Sequence, residues 1–110
     1  MRSVKDIGIE IKQSIHHRLT LEFDYENKTR IANPHYFGRT TADNDAISCW
    51  QIAGKSRSGK LGCKTFSISK IRNLKVTERH FELELSMESP PKNFLKIYAS
   101  AFKGENFGND

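Results

Sequence analysis

The chain has 110 residues and a mass of 12.6 kDa, which suits one small domain and excludes a TIM barrel, a kinase, or a nucleotide-binding domain joined to a substrate domain. Its 18 Lys and Arg against 13 Asp and Glu give a formal net charge of +5, which favours an anionic partner without identifying it. The sequence has no apolar run of the ~18 residues that a membrane helix needs, no apolar N-terminal stretch typical of a signal peptide and only two cysteines, so we expect a cytoplasmic protein that does not contact a membrane.

The excess of basic residues comes from one stretch of the chain. Residues 1–45 hold seven basic and seven acidic residues, and residues 78–110 hold four basic and six acidic residues. Residues 46–77 hold no Asp or Glu and seven basic residues, which are Lys55, Arg57, Lys60, Lys64, Lys70, Arg72 and Lys75. If the fold gathers these side chains on one face, they predict an anion-binding surface; if it scatters them, the charge serves solubility.

The first third of the chain predicts one helix and two strands. Apolar residues at helical spacing predict an amphipathic helix over residues 4–17. The alternation over residues 19–26 predicts a half-buried strand, which a tight turn at residues 27–28 follows. A short second strand is predicted over residues 29–33, and it ends at Pro34 because proline has no N–H to donate to a ladder.

The middle of the chain predicts two more strands. Residues 38–45 are predicted to be a loop, and residues 46–53 a strand that is apolar on both faces, as is typical of a central strand. Gln51 is the polar exception inside that strand. A basic Gly- and Ser-rich loop follows, and residues 64–76 are predicted to form a fourth strand. Its apolar phase shifts, so we expect a bulge or bend near residues 69–70.

The C-terminal third is patterned less clearly. Alternating Phe81, Leu83 and Leu85 predict a further strand. Apolar residues at helical spacing over residues 94–102 predict a short C-terminal helix, with a last strand as the alternative. Residues 104–110 are expected to be a flexible tail. The pattern as a whole predicts a mainly β protein with flanking helices, of the α+β class.

Residues 54–60 match the spacing G-x-x-x-x-G-K of a phosphate-binding loop. Leu61 stands where that motif needs a Ser or Thr hydroxyl for magnesium, and a β-patterned segment follows where the mechanism needs a helix N-terminus. We therefore expect a flexible hairpin loop, or a loop whose amides and cations contact phosphate oxygens without chemistry.

No catalytic or metal-binding constellation is found in the sequence. Cys49 and Cys63 are far apart, and the chain has no C-x-x-C or H-x-x-x-H pair. No serine lies in a nucleophile-elbow context. We expect no enzymatic activity, no metal and no cofactor. Arg30 has two open interpretations: a surface cation paired with Glu26 or another neighbour, or an arginine that binds a phosphate or carboxylate through two parallel hydrogen bonds.

The order of features resembles the WYL domain, a small SH3-like β-barrel found in bacterial regulators. The resemblance covers roughly residues 10–82 and rests on a helix, a strand ending in Tyr25, then Arg30 and Pro34, a Trp50-containing strand, a Gly-Ser-rich loop, and Phe66-Ser67-Ile68-Ser69-Lys70-Ile71. The match is to short, stand-alone members, because no helix-turn-helix segment is present. Residues 1–103 are then one WYL-like domain, with its core at residues 10–82.

This sequence departs from the family at named positions. Cys49-Trp50-Gln51 stands where the family has Trp-Tyr-Leu, and Ser67 and Lys70 stand where it has arginines. Lysine keeps the charge but loses the planar fork of arginine, so the same ligand need not be bound.

The resemblance implies a non-enzymatic ligand-sensing or regulatory module. Members bind nucleic acid or nucleotide-like anions on a basic face and regulate transcription or phage defence. The implied ligand-binding residues are Tyr25, Arg30, Trp50, Lys55, Ser56, Arg57, Lys60, Ser67 and Lys70. The alternative is a protein-interaction or dimerisation module without nucleic-acid affinity, with a homodimer or another protein as partner.

Overall fold

One helix and six antiparallel strands form the regular structure of residues 4–55 and 59–102, which are the parts of the chain described by this computed structural model. Two short 3₁₀ helices interrupt the strands. In chain order the elements are α1 (Val4–His17), β1 (Leu19–Tyr25), β2 (Lys28–Thr40), β3 (Asp45–Gly54), β4 (Gly62–Ser67), a first 3₁₀ helix (Ile68–Lys70), β5 (Arg72–His80), a second 3₁₀ helix (Leu85–Met87) and β6 (Phe94–Ser100). The protein is thus mainly β with an N-terminal helix, as the pattern predicted.

The six strands form one antiparallel sheet in the order β4-β3-β2-β1-β5, and β6 pairs with β2. β3 follows one edge of β2 over residues 30–39. The other edge of β2 pairs first with β1, over residues 28–32, and then with β6, over residues 36–40. Within the described residues no pairing joins β4 to β5, so the sheet is open.

The apolar core lies between α1 and one face of the sheet, which we call the inner face. It carries Leu21 and Phe23 from β1, Ile47 and Cys49 from β3, and Phe66 from β4, all buried. Full burial of an aliphatic or aromatic side chain contributes about 1.5–3 kcal/mol each. The alternation that predicted β1 therefore sets which side of the sheet faces the helix.

α1 covers the core with its apolar stripe. Ile11 and Ile15 are fully buried, and Ile7 packs against the same cluster, so the helical spacing read from the sequence is the face that meets the sheet. Ser14 donates its hydroxyl to the Ile11 carbonyl at 2.8 Å, which satisfies it in the core. Arg18 adopts φ 56° and ends the helix. No helix within the described ranges is long and apolar enough to cross a membrane.

β2 runs through Pro34 to Thr40, so the prediction of a short strand that stops at Pro34 is wrong. β1 pairs with β2 as far as Ala32, and β6 pairs with it from Tyr36. Pro34 lies between them, where that edge has no partner strand among the described residues. The β2–β3 register also shifts between Pro34 and Tyr36, and such a bulge accommodates a residue without an N–H.

Two neighbouring predictions are affected by this longer β2. The predicted loop over residues 38–45 is shorter than expected, because Gly38 and Arg39 extend the ladder with β3. The predicted strand over residues 46–53 is confirmed as β3, and its place between β2 and β4 agrees with its apolar faces.

The predicted single strand over residues 64–76 is two strands. β4 and β5 are separated by the first 3₁₀ helix, at the position where the sequence predicted a bend. The Ile71 amide donates to the Ile68 carbonyl at 3.1 Å, and both side chains are buried. The turn between these two buried isoleucines takes the chain from β4, at one end of the sheet order, to β5, at the other end. The apolar residues change phase because they belong to two different strands.

The C-terminal third corrects two predictions. The strand predicted around residues 81–85 is wrong, since this segment is irregular and leads into the second 3₁₀ helix. The C-terminal helix is also wrong, and the alternative, a last strand, is confirmed as β6. β6 finds backbone partners on the edge of β2, and this tertiary pairing overrides the helical spacing of its apolar residues. The predicted tail lies outside the described residues.

His35 is a fully buried polar residue that fixes the C-terminal segment to β2. Its Nδ1 lies 2.9 Å from the Asn33 carbonyl, and its Nε2 accepts the Glu84 amide at 3.0 Å. The ring lies against Phe81 and Phe102, with centroids 5.1 and 5.6 Å away. These contacts require a neutral imidazole with its proton on Nδ1.

The environment of His35 disfavours the charged ring. Burial lowers its pKa from the usual 6.5; Arg18 acts in the same direction, while the Asn33 carbonyl and Glu84 partly oppose the shift. A second proton on Nε2 would also face the Glu84 amide, donor against donor.

We predict that acid weakens the fold through His35. Because its folded-state pKa lies below 6.5, its contribution to the free energy of unfolding is fully present above that pH and is lost as the pH falls through and below it. Urea unfolding followed by circular dichroism at a series of pH values measures the effect. His35→Gln should flatten the pH dependence, because a neutral amide keeps a donor and an acceptor. The exposed His80, changed to Gln, is the control and should leave the wild-type slope; an unchanged slope in His35→Gln would contradict the assignment.

Candidate functional site

Strand register places Arg30 on the inner face of the sheet. Arg30 lies directly opposite Phe23 in the β1–β2 ladder, and residues in direct opposition share a face. Phe66 lies opposite Ile47 in the β3–β4 ladder, on the same face. A cation therefore lies among core side chains.

Arg30 is only 3% exposed and is held between two aromatic rings. Its guanidinium carbon lies 5.7 Å from the Tyr25 ring centroid and 5.5 Å from that of Phe66. The two rings contact each other edge to face at 4.9 Å. Attraction to ring faces offsets part of the cost of burying the charge.

The hydrogen bonds of Arg30 are long and incomplete. Nη1 donates to Gln51 Oε1 at 3.5 Å and Nη2 to the Tyr25 carbonyl at 3.3 Å. The Glu26 carboxylate lies 3.7 Å from Nη2, and Nε has no hydrogen-bond partner among the described residues. Ordinary N–H···O bonds measure ~2.7–3.2 Å, so this buried cation is poorly satisfied.

These contacts bear on the first of the two interpretations of Arg30 that the sequence left open. The pairing with Glu26 exists, but Arg30 is not a surface cation.

Gln51 positions the end of β3 beside Arg30. It is fully buried, and its amide donates to the carbonyls of Ala53 and Lys55, both at 3.0 Å. Both donors are thereby used on backbone, which leaves Oε1 for Arg30. The loop start is tied down further, because the Lys55 amide donates to the Thr29 carbonyl at 2.9 Å.

Tyr25 joins two parts of the site. Its hydroxyl accepts the Ser67 amide at 3.1 Å, just before the first 3₁₀ helix. The Ser67 hydroxyl instead accepts from the Asn44 amide at 3.3 Å. Ser67 therefore contributes its backbone to the site rather than its side chain.

Trp50 lies away from Arg30. It neighbours Gln51 along β3, so alternation points it to the opposite, outer face. There it lies opposite Cys63, and its ring lies beside Gly62, where an added Cβ would come within 3.8 Å of it. The fold does not bring Trp50 together with the Tyr25–Arg30 pair.

An open cleft of about 680 Å³ lies next to this constellation. Glu26 connects the two, because it lines the cleft and contacts Arg30. The cleft is lined by Asp24, Glu26, Asn27, Thr29, Lys70, Arg72 and Asn73. Lys70, named from the sequence, is exposed at the end of the first 3₁₀ helix. The cleft thus brings charged side chains of both signs together, and Glu26 links them to Arg30.

The basic residues of the 46–77 stretch are divided over the molecule. Lys55 and Lys60 are exposed in the β3–β4 loop, whereas Ser56 and Arg57 lie outside the described residues. In the β1–β5 ladder, Arg72 lies opposite Asp24 and Lys75 opposite Glu22. Opposite charges at facing positions attract, so the basic residues of β5 are largely matched by acids of β1.

Other chemistry proposed from sequence finds no support at this site. A strand, β4, follows the G-x-x-x-x-G-K loop, where a phosphate-binding loop needs a helix. Among the described residues no group of three or more His, Cys, Asp or Glu is placed to hold a metal ion. Cys49 is buried, which raises its thiol pKa, and Cys63 is exposed; both are free.

Comparison of the chain with protein-family models, with curated proteins and with solved structures finds no match.

Sequence reasoning missed two members of the site and gave a third another role. Gln51 was visible as the polar exception in an apolar strand, but its proximity to Arg30 follows from the β2–β3 register. Phe66 was named only as part of the segment that resembles the family, and its place beside Arg30 follows from the strand registers. Glu26 was considered only as a surface partner of Arg30.

We predict that Arg30 contributes little to stability. Its desolvation is balanced only by long hydrogen bonds, so Arg30→Met, which fills a similar volume, should change the free energy of unfolding by less than about 1 kcal/mol or raise it. Chemical denaturation measures this. Phe66→Ala is the control for a residue that the core needs, and it should cost about 3–5 kcal/mol. A comparable loss in Arg30→Met would show that the guanidinium is a structural ion.

Proposed function

We propose that this protein is a non-enzymatic regulatory module, similar to the WYL domain, that binds a nucleotide-like anion through Arg30. The observation that carries the proposal is a cation 3% exposed whose Nε has no partner among the described residues. Such an arrangement costs free energy in the unliganded protein, and an oxyanion that accepts from Nε and Nη2 would recover it.

The strand order supports a WYL-like architecture for the proposed module. Four strands follow one another as a meander, and β5 returns to pair with β1 after a 3₁₀ turn. An SH3-like barrel uses this order, and closing the sheet between β4 and β5 would complete it. The barrel is therefore part of the proposal, as is a cytoplasmic role in regulating transcription.

A small anion fits the site better than a polynucleotide. Arg30 is only 3% exposed, and the Glu26 carboxylate lies 3.7 Å from its Nη2, so little of its surface is available to a ligand. Polynucleotide binding depends on several surface cations following a backbone. Here the β5 cations face acids of β1, which weakens such a track and leaves the terminal phosphate of a nucleotide as the favoured ligand.

We predict that adenosine monophosphate binds the protein, and that Arg30→Met reduces the affinity at least about tenfold, since a charge-assisted hydrogen bond contributes roughly 1.5–3 kcal/mol. Lys70→Ala, which removes an exposed cation, should reduce it by only about two- to threefold. Isothermal titration calorimetry at two salt concentrations measures both, with inorganic phosphate and a short single-stranded DNA as further ligands.

The matched control for this experiment is Arg79→Met. Arg79 is exposed on β5 near the end that pairs with Leu19, whereas the cleft lies at the Asp24–Arg72 end. Arg79→Met removes the same positive charge at a position away from the site, so it should leave the affinity for adenosine monophosphate unchanged. Absence of binding, or equal losses in Arg30→Met and Arg79→Met, would contradict the proposal. DNA binding tighter than nucleotide binding would reassign the ligand.

A second candidate function, a protein-interaction or dimerisation module, is supported by β6. One edge of β6 pairs with β2, and its other edge has no partner within the described ranges. Leu95 on this strand is 72% exposed. An unprotected edge with an apolar side chain is a usual site of strand-to-strand association.

We predict that, if β6 mediates self-association, the chain forms a dimer that Leu95→Lys dissociates. A charge on an edge strand opposes pairing without disturbing the core. Light scattering at several protein concentrations measures the molar mass. Leu61→Lys, at another exposed leucine in the β3–β4 loop, is the control and should leave the mass unchanged. A monomer at every concentration would remove self-association as the function of this edge.

A further inference from the structure

Glu26 lies between the cleft and Arg30. Its carboxylate lines the cleft, and its Oε1 is 3.7 Å from Arg30 Nη2. The Glu26 side chain is 33% exposed, against 4% for that of Arg30. A ligand that enters from the cleft therefore meets the Glu26 carboxylate before it meets the guanidinium.

The backbone at Glu26 adopts a conformation that suits other residues better. Tyr25 pairs with Lys28, so Glu26 and Asn27 form a two-residue hairpin turn, with φ of 54° and 62°. Turns with two left-handed residues favour Asn, Asp or Gly. Asn27 fits this preference, whereas Glu26 pays a steric cost for its Cβ. The turn itself therefore gives no reason for a glutamate at this position.

The carboxylate of Glu26 also satisfies Arg30 poorly. Nε and Nη2 lie along one edge of the planar guanidinium, where a single oxyanion accepts from both. Glu26 approaches only Nη2, and its distance of 3.7 Å exceeds a hydrogen bond. Nε stays without a partner in the described part of the chain. Glu26 therefore lies near this edge of the guanidinium without satisfying its two hydrogen-bond donors.

The charges of the cleft also indicate that Glu26 can leave its position beside Arg30. Asp24 and Glu26 line it together with Lys70 and Arg72, so acids and bases balance while Glu26 faces inward. Asp24 is held by Thr29 and Asn73, at 3.0 and 2.8 Å. Glu26, whose contact with Arg30 is a long one, is the acid that moves more easily, and its departure leaves the cleft and Arg30 positive.

We propose that Glu26 is an internal competitor, which covers the Nε–Nη2 edge of Arg30 in the free protein and is displaced by the phosphate or carboxylate of the ligand. This inference rests on the proposed function and adds its regulation. Displacement needs only a rotation of the Glu26 side chain, because Tyr25, which precedes the turn, stays hydrogen-bonded to the Ser67 amide and keeps Arg30 in place.

Glu26→Gln tests the proposal, because it removes the competing charge and keeps the shape of the side chain. Titrations with inorganic phosphate, adenosine monophosphate and succinate separate phosphate from carboxylate ligands. We expect the preferred oxyanion to bind about 5- to 10-fold more tightly to Glu26→Gln than to the wild type, a coupling of ordinary size. Glu26→Gly is a second variant that removes the carboxylate and relaxes the turn, so it should bind as tightly and melt at a higher temperature.

Glu22→Gln is the matched control. Glu22 lies on β1 opposite Ile31 and Lys75, on the outer face, so the variant has the same charge change without the same contact. Its affinity should equal that of the wild type. An equal gain in Glu22→Gln would mean that net charge alone is responsible, and would overturn the proposal.

The remaining outcomes separate this inference from the proposed function. If wild type and Glu26→Gln bind equally tightly and Arg30→Met abolishes binding in both, the competitor is overturned and the binding function stands. If neither protein binds any of the three anions, both proposals fail. Binding detected only in the Glu26 variants would contradict both, because each proposal requires the ligand to bind the wild type and to displace Glu26 there.

Discussion

The backbone hydrogen bonds along the two edges of β2 set the arrangement of the whole sheet. β3 follows one edge, while β1 and then β6 share the other. Side chains alternate between faces along a strand, so a slip of one residue in the β1–β2 pairing would exchange the faces of every residue in it. The register that buries Leu21 and Phe23 therefore also buries Arg30. The position of the cation is a consequence of core packing.

Burying an arginine in this way is costly unless something pairs with it. The surroundings of Arg30 supply two aromatic rings, one amide oxygen and one carbonyl, and a carboxylate at the edge of reach. Together they keep the side chain in place but leave the guanidinium fork incomplete. A rigid cation with an incomplete shell suits recognition of an oxyanion, because its orientation is fixed before the ligand arrives. Gln51 and the Tyr25–Ser67 hydrogen bond provide that rigidity.

Local patterns predicted those parts of the fold that depend on local sequence. The apolar spacing of α1 and the alternation of β1 were sufficient, because each of these elements buries one face. The segment of β3 was recognised because it is apolar on both faces, as expected of a central strand. The prediction of β2 was wrong at Pro34. The strand accommodates a proline there because Pro34 lies where the partner strand changes from β1 to β6, and this change cannot be read from the sequence of β2 alone. β6 was ambiguous for a similar reason: its partner strand lies far away in the sequence, 59 residues earlier for the pair Gly38 and Ile97.

The same limit applies to the site. Tyr25 and Arg30 were named through the resemblance, and the fold brings them together, whereas Trp50 lies on the outer face because it neighbours an inward Gln51. The role of Gln51 depends on a cross-strand register that no single strand reveals. In the proposed complex Arg30 Nε–H donates a hydrogen bond to an oxyanion of the ligand, and the ¹⁵N–¹H resonance of this group reports on that bond directly. Added nucleotide should move the Nε–H proton downfield and slow its exchange with water; an unchanged Nε–H signal at saturating nucleotide would contradict the account.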